Sequence, residues 1–112
     1  MGYAIVVRGG FNAAHHLPGV EICERIHGHS FQVEARVESD DLNEQFMVKD
    51  FRDLKATWNK YDHQDLNDFF PMPTAEVLAR AIFDDIRYNR TSQKIVYVRV
   101  WESETAYAEY ST

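Results

Sequence analysis

Residues 31–38 alternate strictly between apolar and polar side chains, and no other feature limits the possible folds as strongly. The apolar members are Phe31, Val33, Ala35 and Val37, and the polar members are Gln32, Glu34, Arg36 and Glu38. A period of two places the apolar set on one face of a β-strand and the polar set on the other. The chain must therefore build a sheet with one face against a core and one face in water.

The amino-terminal residues carry a second strand pattern. Residues 3–7 are mostly β-branched or aromatic, and a further extended segment over residues 11–17 follows Gly9 and Gly10. Glycine inside a strand often marks a bulge, where one strand carries an extra residue. We therefore predict one long strand broken by a glycine bulge.

The carboxy-terminal residues predict a hairpin. Residues 92–102 form a strand pattern in which the even positions share one face: Val96, Val98, Val100 and Glu102. A short turn at Ser103 and Glu104 leads to a last strand over residues 105–110. The first two strands, joined by a loop, form a similar pair at the other end of the chain.

Two amphipathic helices are predicted between the two strand pairs. Asp50 can cap a first helix, whose apolar residues recur at spacings of three and four: Phe51, Leu54 and Trp58. Thr74 can cap a second helix, whose apolar stripe comprises Val77, Leu78, Ala81, Ile82 and Ile86. The order β, β, α, α, β, β predicts an α+β fold, an antiparallel sheet with two helices on one face. Its uncovered edges favour oligomerisation.

Composition limits the class of protein. The chain has 112 residues, 45% of them hydrophobic, which leaves room for one compact domain over residues 1–112. An excess of 18 acidic over 12 basic side chains gives a formal charge of −6, so we expect no nucleic-acid partner. The amino-terminal apolar run is too short for a signal peptide or a membrane span, so we expect no membrane partner and a cytoplasmic location. The single cysteine excludes an internal disulfide.

The triplet His27-Gly28-His29 is a candidate metal site. Residues two apart on a strand point to the same side with Cα atoms about 6.5 Å apart, so both imidazoles can converge on one ion. His15 can supply a third imidazole from the neighbouring strand, because Ala13 and Ala14 leave space and Phe11 can pack beneath. Three neutral imidazoles leave a fourth position open, the arrangement of catalytic zinc.

Other interpretations of these residues remain open. Paired histidines on a turn are more often solvated or hydrogen-bonded than metal-bound. Cys23 could be the fourth ligand of a closed structural zinc site. His16 points to the opposite side of the strand from His15, so we do not expect it to bind the ion.

Two further features bear acids. A carboxylate beside a histidine, as in Asp62-His63, can fix the tautomer of the ring and raise its basicity, although the same residues suit a polar turn. Glu102 ends a strand on the face of three valines, and a buried carboxylate needs a partner. A planar, guanidine-like edge can bridge both of its oxygens, whereas in water Glu102 merely ends the strand.

Six motifs, in order and spacing, resemble the 6-pyruvoyl-tetrahydropterin synthase and 6-carboxy-tetrahydropterin synthase family over nearly the whole chain. They are residues 11–17, residues 23–30 with the His-Gly-His triplet, residues 47–51, residues 62–67, residues 73–76 and the late strand that ends in Glu102. Six motifs in register are far more specific than any one of them.

The resemblance implies a role for each matching residue. It assigns His15, His27 and His29 as ligands of one zinc ion per subunit, and Cys23 as the catalytic thiol. It assigns Asp62 and His63 as a catalytic relay supplied from a neighbouring subunit. It assigns Glu102 to the 2-amino and N3 edge of the pterin, with Thr74 and Glu76 near the same pocket.

The resemblance also implies an assembly. The family has the tunnelling fold, or T-fold, in which ββααββ subunits close a continuous β-barrel. Three subunits form each barrel, and two trimers stack into a homohexamer.

The implied reaction converts 7,8-dihydroneopterin triphosphate to 6-carboxy-5,6,7,8-tetrahydropterin, acetaldehyde and triphosphate, on the queuosine and deazapurine route. The triphosphate needs basic contacts, for which Arg8, Arg25 and Lys49 are candidates. The alternatives are 6-pyruvoyl-tetrahydropterin synthase activity, or a dual activity in which Glu24 helps to form 6-hydroxymethyl-dihydropterin for folate. A non-catalytic zinc-binding or pterin-binding homologue is the alternative of a different class.

Overall fold

The computed structural model describes residues 2–112 and contains one four-stranded sheet and two α-helices. The elements are β1 (Tyr3–His15), β2 (His27–Ser39), α1 (Phe51–Asn59), α2 (Ala75–Tyr88), β3 (Lys94–Ser103) and β4 (Ala106–Ser111). Short 3₁₀-helices lie at Glu21–Glu24 and Leu66–Asp68. The strands are antiparallel in the order β1-β2-β3-β4, which confirms the predicted α+β architecture. Neither α-helix has the length and hydropathy needed to span a bilayer.

The core lies between the two helices and one face of the sheet. The alternating residues of β2 are buried as predicted, and they pack with Leu54 and Trp58 of α1 and with the buried stripe of α2. Asp50 and Thr74 cap the helices, since their side chains accept hydrogen bonds from the amides of Arg52 and Val77.

The helices differ from the prediction at two apolar positions. Phe51 is 55% exposed in the first turn of α1, and Val77 is 37% exposed on α2. Phe51 lines an open groove beside Phe46 and Met47 rather than the core. On α2, Ala79 and Phe83 take the buried positions beside Leu78 and Ile82.

The predicted glycine bulge in β1 is wrong. Gly9 and Gly10 pair one to one with Val33 and Gln32, and the register shows no shift. A Cβ on Gly9 would lie 2.9 Å from the Nε1 of Trp58, so the glycine lets this large side chain of α1 approach the strand. Close packing, not strand distortion, explains the glycine at this position.

The bulges lie in β3 instead. Tyr97 pairs with Arg36 and Ile95 with Val37, so Val96 is the extra residue. Ile95 is therefore buried and Val96 only half-buried, contrary to the predicted even-numbered face. A second shift, opposite β4, leaves Glu102 as the extra residue.

Candidate metal centre

Three histidines continue the buried face of the sheet beyond Phe31. His15 is paired directly with His27, and His29 faces Ala13, whose small side chain leaves space. The ring centroids lie 4.6 Å apart for His15 and His27, 5.0 Å for His15 and His29, and 4.7 Å for His27 and His29. The predicted triad therefore comes together at one end of the β1–β2 ladder.

Aromatic packing supports the triad from below. The ring of Phe31 lies 5.5 Å from those of His15 and His29. Phe11, the direct cross-strand partner of Phe31, stacks on it at 5.0 Å. The wall beneath the imidazoles is thus apolar and offers them no hydrogen-bond partner.

Backbone carbonyls orient two of the rings. The Nδ1 of His15 donates to the carbonyl of Pro73 at 2.9 Å, and the Nδ1 of His27 donates to the carbonyl of Arg25 at 2.7 Å. A neutral imidazole that donates through Nδ1 presents a lone pair at Nε2. Carbonyl partners of this kind are typical of metal-ligating histidines.

The Nε2 atoms of His15 and His29 are buried without a hydrogen-bond partner. The Oε1 of Glu102 lies 3.1 Å from each of them, out of line for a hydrogen bond. Buried orphan nitrogens of this kind fit a metal ion, which would satisfy both at once.

A carboxylate also lies at the centre. The sequence had assigned this residue, Glu102, to the pterin and not to the metal. The ligand atoms of His15, His27, His29 and Glu102 all lie within 4.8 Å of one another. Glu102 continues the face of β3 that carries Val98 and Val100, and the preceding Trp101 pairs with Gln32, so the carboxylate reaches His15 and His29. The position of Glu102 on this face was the available signal, but the register of β3 against β2 depends on pairing between distant strands.

The surroundings of His29 favour the form that a metal requires. Burial lowers the pKa of His29 below 6.5, Glu102 opposes this effect, and the neighbouring His15 and His27 lower the pKa further. A metal ligand must be the neutral imidazole. Three imidazole nitrogens form a donor set that suits zinc, and the carboxylate of Glu102 lies next to them.

Cys23 and Glu24 lie in the 3₁₀-helix Glu21–Glu24, not on a strand. The amide of Leu17 donates to the carbonyl of Cys23 at 2.6 Å, which closes the loop between β1 and β2. Cys23 is half-buried and Glu24 is exposed. Among residues 2–112, it is Glu102 and not Cys23 that joins the three histidines, which argues against the closed cysteine-containing zinc site.

Asp62 and His63 form a hydrogen-bonded pair at the free edge of β1. The Nδ1 of His63 donates to the carboxylate of Asp62 at 2.9 Å, and the amide of Asn12 donates to the same carboxylate at 2.8 Å. The bond from Asn12 is the main reason that the pKa of Asp62 lies below 3.8. The side chain of His63 is 81% exposed, and a cavity of about 590 Å³ is lined by both His29 and His63.

The two remaining pocket candidates, Thr74 and Glu76, lie at different distances from the centre. The hydroxyl of Thr74 caps α2, and the carbonyl of Pro73 just before it orients His15. Glu76 is exposed on α2 and lines a different groove with Arg80 and Tyr110. The structure therefore brings Thr74 near the centre and does not bring Glu76 to it.

The three basic residues considered for the triphosphate lie in different parts of the structure. Arg8 binds the buried carboxylate of Glu34 at 2.5 Å and lines a cavity of about 710 Å³ with Glu102. Lys49 donates to the carbonyl of Asn89 and lies at the far end of the sheet. Arg25 is exposed beside His27, whose ring its carbonyl orients.

A model of the 6-pyruvoyl tetrahydropterin synthase family matches residues 4–112. The chain belongs to this family. Enzymes of the 6-pyruvoyl tetrahydropterin synthase family are lyases that act on pterins. The expectation drawn from the six sequence motifs is thereby confirmed.

Individual relatives carry different names. The chain is 38% identical over 109 residues to a protein of Archaeoglobus fulgidus, and the match covers 94% of this chain and 92% of that one. It is 33% identical over 114 residues to the 6-carboxy-5,6,7,8-tetrahydropterin synthase of Bacillus subtilis, covering 88% and 78%. It is 34% identical over 103 residues to the dihydroneopterin monophosphate aldolase of Pyrococcus furiosus, covering 88% of each.

Solved structures of the 6-pyruvoyl tetrahydropterin synthase family share the fold. The chain superposes on the enzyme of Caenorhabditis elegans with a TM-score of 0.79 at 19% identity, covering 98% of this chain and 95% of that one. The antiparallel sheet with two helices is therefore the predicted T-fold subunit.

Proposed function

We propose that the chain is a zinc-dependent lyase that converts 7,8-dihydroneopterin triphosphate and one water molecule to 6-carboxy-5,6,7,8-tetrahydropterin, acetaldehyde and triphosphate, on the queuosine and deazapurine route. The observation that carries the proposal is the convergence of His15, His27 and His29 in a chain of this family, with the buried Nε2 atoms of His15 and His29 lacking a hydrogen-bond partner. The name of the Bacillus subtilis relative favours the 6-carboxy product.

Zinc is the proposed cofactor, one ion per subunit, held by His15, His27 and His29. When bound, it supplies a Lewis acid that polarises the side-chain hydroxyls of the substrate. The Nδ1 bonds to Pro73 and Arg25 keep two of these ligands oriented before the ion arrives.

The proposed catalytic groups divide the work of proton transfer. Cys23, the single cysteine of the chain, is proposed as the base that removes a proton from the substrate side chain, acting as the thiolate. His63, oriented by Asp62, is proposed to return a proton, since a carboxylate partner fixes its tautomer. The exposure of the pair at an edge of the subunit supports its use by a neighbouring copy.

Glu102 is proposed to hold the pterin ring. Both of its oxygens can accept hydrogen bonds from the 2-amino and N3 edge, which fixes the side chain of the substrate against the metal. Its Oε1 lies 3.1 Å from the Nε2 atoms of both His15 and His29, so a pterin ring bound to Glu102 would lie next to the metal. Thr74 is retained in the proposal as a further residue of the pocket, whereas Glu76 lines a different groove and is not retained.

Among the basic residues we choose Arg25 for the triphosphate. The guanidinium of Arg8 already binds a buried carboxylate, and Lys49 lies at the other end of the sheet. Arg25 is exposed and lies two residues from His27. It is also the single Lys or Arg in residues 12–30, which contain the three histidines.

The proposed working unit is a homohexamer of two stacked trimers. Both outer strands, β1 and β4, have an edge that a second copy can extend. The cytoplasm is the proposed location, because the free thiol of Cys23 must stay reduced to act as a base.

Product analysis tests the reaction. Purified protein is incubated with zinc and 7,8-dihydroneopterin triphosphate, and the products are separated. Acetaldehyde together with a 6-carboxy pterin supports the proposal, whereas a 6-pyruvoyl product replaces it with the simpler triphosphate elimination. Bound zinc without turnover of any dihydroneopterin leaves only a binding role.

A second candidate reaction is the formation of 6-hydroxymethyl-dihydropterin for folate. The name of the Pyrococcus furiosus relative and the exposed carboxylate of Glu24 favour it. It is tested with dihydroneopterin and its monophosphate as substrates. A 6-hydroxymethyl product that disappears in Glu24→Gln but persists in Cys23→Ala would assign this activity to Glu24.

A further inference from the structure

The side-chain amide of Asn67 holds the end of β1 as a neighbouring strand would. Its Oδ1 accepts from the amide of His16 at 2.9 Å, and its Nδ2 donates to the carbonyl of His16 at 3.0 Å. Asn67 is itself fixed, because its amide donates to the side chain of Asp65 at 3.0 Å and the adjacent Leu66 is fully buried. The side-chain amide of Asn67 therefore takes the place of a backbone partner at this edge.

The same segment binds two earlier residues of β1. The amide of Ala14 donates to the carbonyl of Gln64 at 3.0 Å, and the amide of His63 donates to the carbonyl of Asn12 at 2.7 Å. Residues 62–67, here called the edge clamp, thus satisfy the edge-facing backbone groups of Asn12, Ala14 and His16. The residues between them, Ala13 and His15, face the buried side.

We infer that Asn67 is a positioning residue that keeps both His15 and the Asp62–His63 pair in place. His15 is the last residue of β1, and the chain leaves the strand immediately after it. Without the side chain of Asn67, the backbone amide and the carbonyl of His16 both lose their hydrogen-bond partner. The end of the strand then frays, and His15 is no longer held beside His27.

The clamp also links two parts of the site that the proposed function assigns to different roles. Asp62 and His63 form its first part, and Asn67 ends it. An ion that fixes His15 therefore steadies the clamp, and a loosened clamp weakens the hold on the ion. This coupling rests on the proposed metal centre and does not depend on which pterin is the substrate.

The test compares Asn67→Ala with Asn43→Ala in the full chain. Asn43 is a matched control, since its Oδ1 accepts from the amides of Gln45 and Met47 at 2.9 and 3.1 Å in a loop at the other end of the sheet. Zinc affinity is measured by competition with a chelator. Asn67→Ala is expected to weaken zinc binding about 10- to 100-fold, and Asn43→Ala to leave it unchanged.

Hydrogen exchange supplies a readout that needs neither metal nor substrate. Asn67→Ala is expected to lower the protection of the Ala14 and His63 amides in metal-free protein, and added zinc to restore part of it. Asn67→Asp, which keeps the acceptor and removes the donor, is expected to lie between Asn67→Ala and the wild type. It also serves if the alanine variant does not fold.

Two results would overturn the inference: unchanged zinc affinity in the Asn67 variants, or an equal loss in Asn43→Ala. A wild-type chain that binds no zinc would instead overturn the proposed metal centre. In that case unchanged protection at Ala14 and His63 in Asn67→Ala still decides against the positioning role.

Discussion

Cys23 is not among the four residues whose ligand atoms converge, and its proposed role separate from the metal is testable. We expect Cys23→Ala to lower turnover by about 100-fold or more, since it removes the proposed base. Zinc content should stay near one ion per chain, because the four converging residues do not include Cys23. Activity and metal content are measured on the same preparation, and loss of zinc would make the thiol a ligand.

Arg25 gives a second prediction at the residue scale. A charge-assisted hydrogen bond to phosphate is worth enough that Arg25→Ala should raise KM for the triphosphate about 10- to 100-fold. The inhibition constant of unphosphorylated dihydroneopterin, measured as a competitor of the triphosphate, should not change. Arg90→Ala, in the loop that follows α2, is the control and should leave both constants unchanged. Equal effects of Arg25→Ala on the two ligands would contradict the assignment.

Glu34 is a buried carboxylate on the sheet face opposite the helices. It is 4% exposed and accepts from Arg8 at 2.5 Å, from Tyr97 at 2.6 Å and from Arg99 at 3.2 Å. Burial alone would raise the pKa of Glu34, but the hydrogen bonds from Tyr97 and Arg8 outweigh it, and the pKa lies below 4.5. The ionised carboxylate therefore stabilises the fold above pH 4.5, and this contribution is lost as the pH falls through the lower pKa of the folded state.

We accordingly expect Glu34→Gln to lower the free energy of unfolding by about 1–3 kcal/mol at pH 7. The difference from the wild type should shrink as the pH falls below 4.5. Urea unfolding at several pH values measures both effects. Glu38→Gln, which breaks a half-exposed pair with Arg36, should cost no more than about 1 kcal/mol. A difference that stays constant with pH would contradict the role of the charge.

At the scale of the elements, the contact between α1 and β1 depends on Gly9. A Cβ there would lie 2.9 Å from Trp58, so Gly9→Ala is expected to displace the indole and destabilise the fold by about 1–3 kcal/mol. Thermal or urea unfolding measures the loss. In Gly28→Ala the new Cβ would meet only the carbonyl of Ala13, at 3.9 Å, so this control should be much less destabilised. Equal losses would show that the effect comes from the strand backbone and not from Trp58.

The elements also show what the sequence could predict. The alternation of residues 31–38, the caps at Asp50 and Thr74 and the shared side of His27 and His29 follow from local sequence patterns, and the structure confirms them. The approach of His15 required the pairing of β1 with β2, which the small residues Ala13 and Ala14 had suggested. The bulges at Val96 and Glu102 cannot be predicted from local patterns, because they depend on how β3 aligns with its two neighbouring strands. For that reason the approach of Glu102 to the histidines was not predicted from the sequence, although the residue itself was.

At the scale of the whole molecule, complementation tests whether two chains build one site. Cys23→Ala and His63→Ala are each expected to be inactive. If His63 serves the centre of a neighbouring copy, dissociated and remixed equal amounts should recover about a quarter of wild-type activity, since that fraction of interfaces joins two intact groups. No recovery in mixed assemblies would mean that each site uses the Asp62–His63 pair of its own chain.

The edge clamp also limits how copies of the chain can associate. It occupies the outer side of β1 at Asn12, Ala14 and His16, so a visiting strand can pair only with the residues before Asn12. The six residues of β4 fit within that stretch. A strand shifted further towards His15 would clash with the edge clamp. In a closed ring of sheets the stagger between neighbours sets the tilt and the diameter. In the proposed barrel, the loop that carries Asp62 and His63 would then also set the diameter.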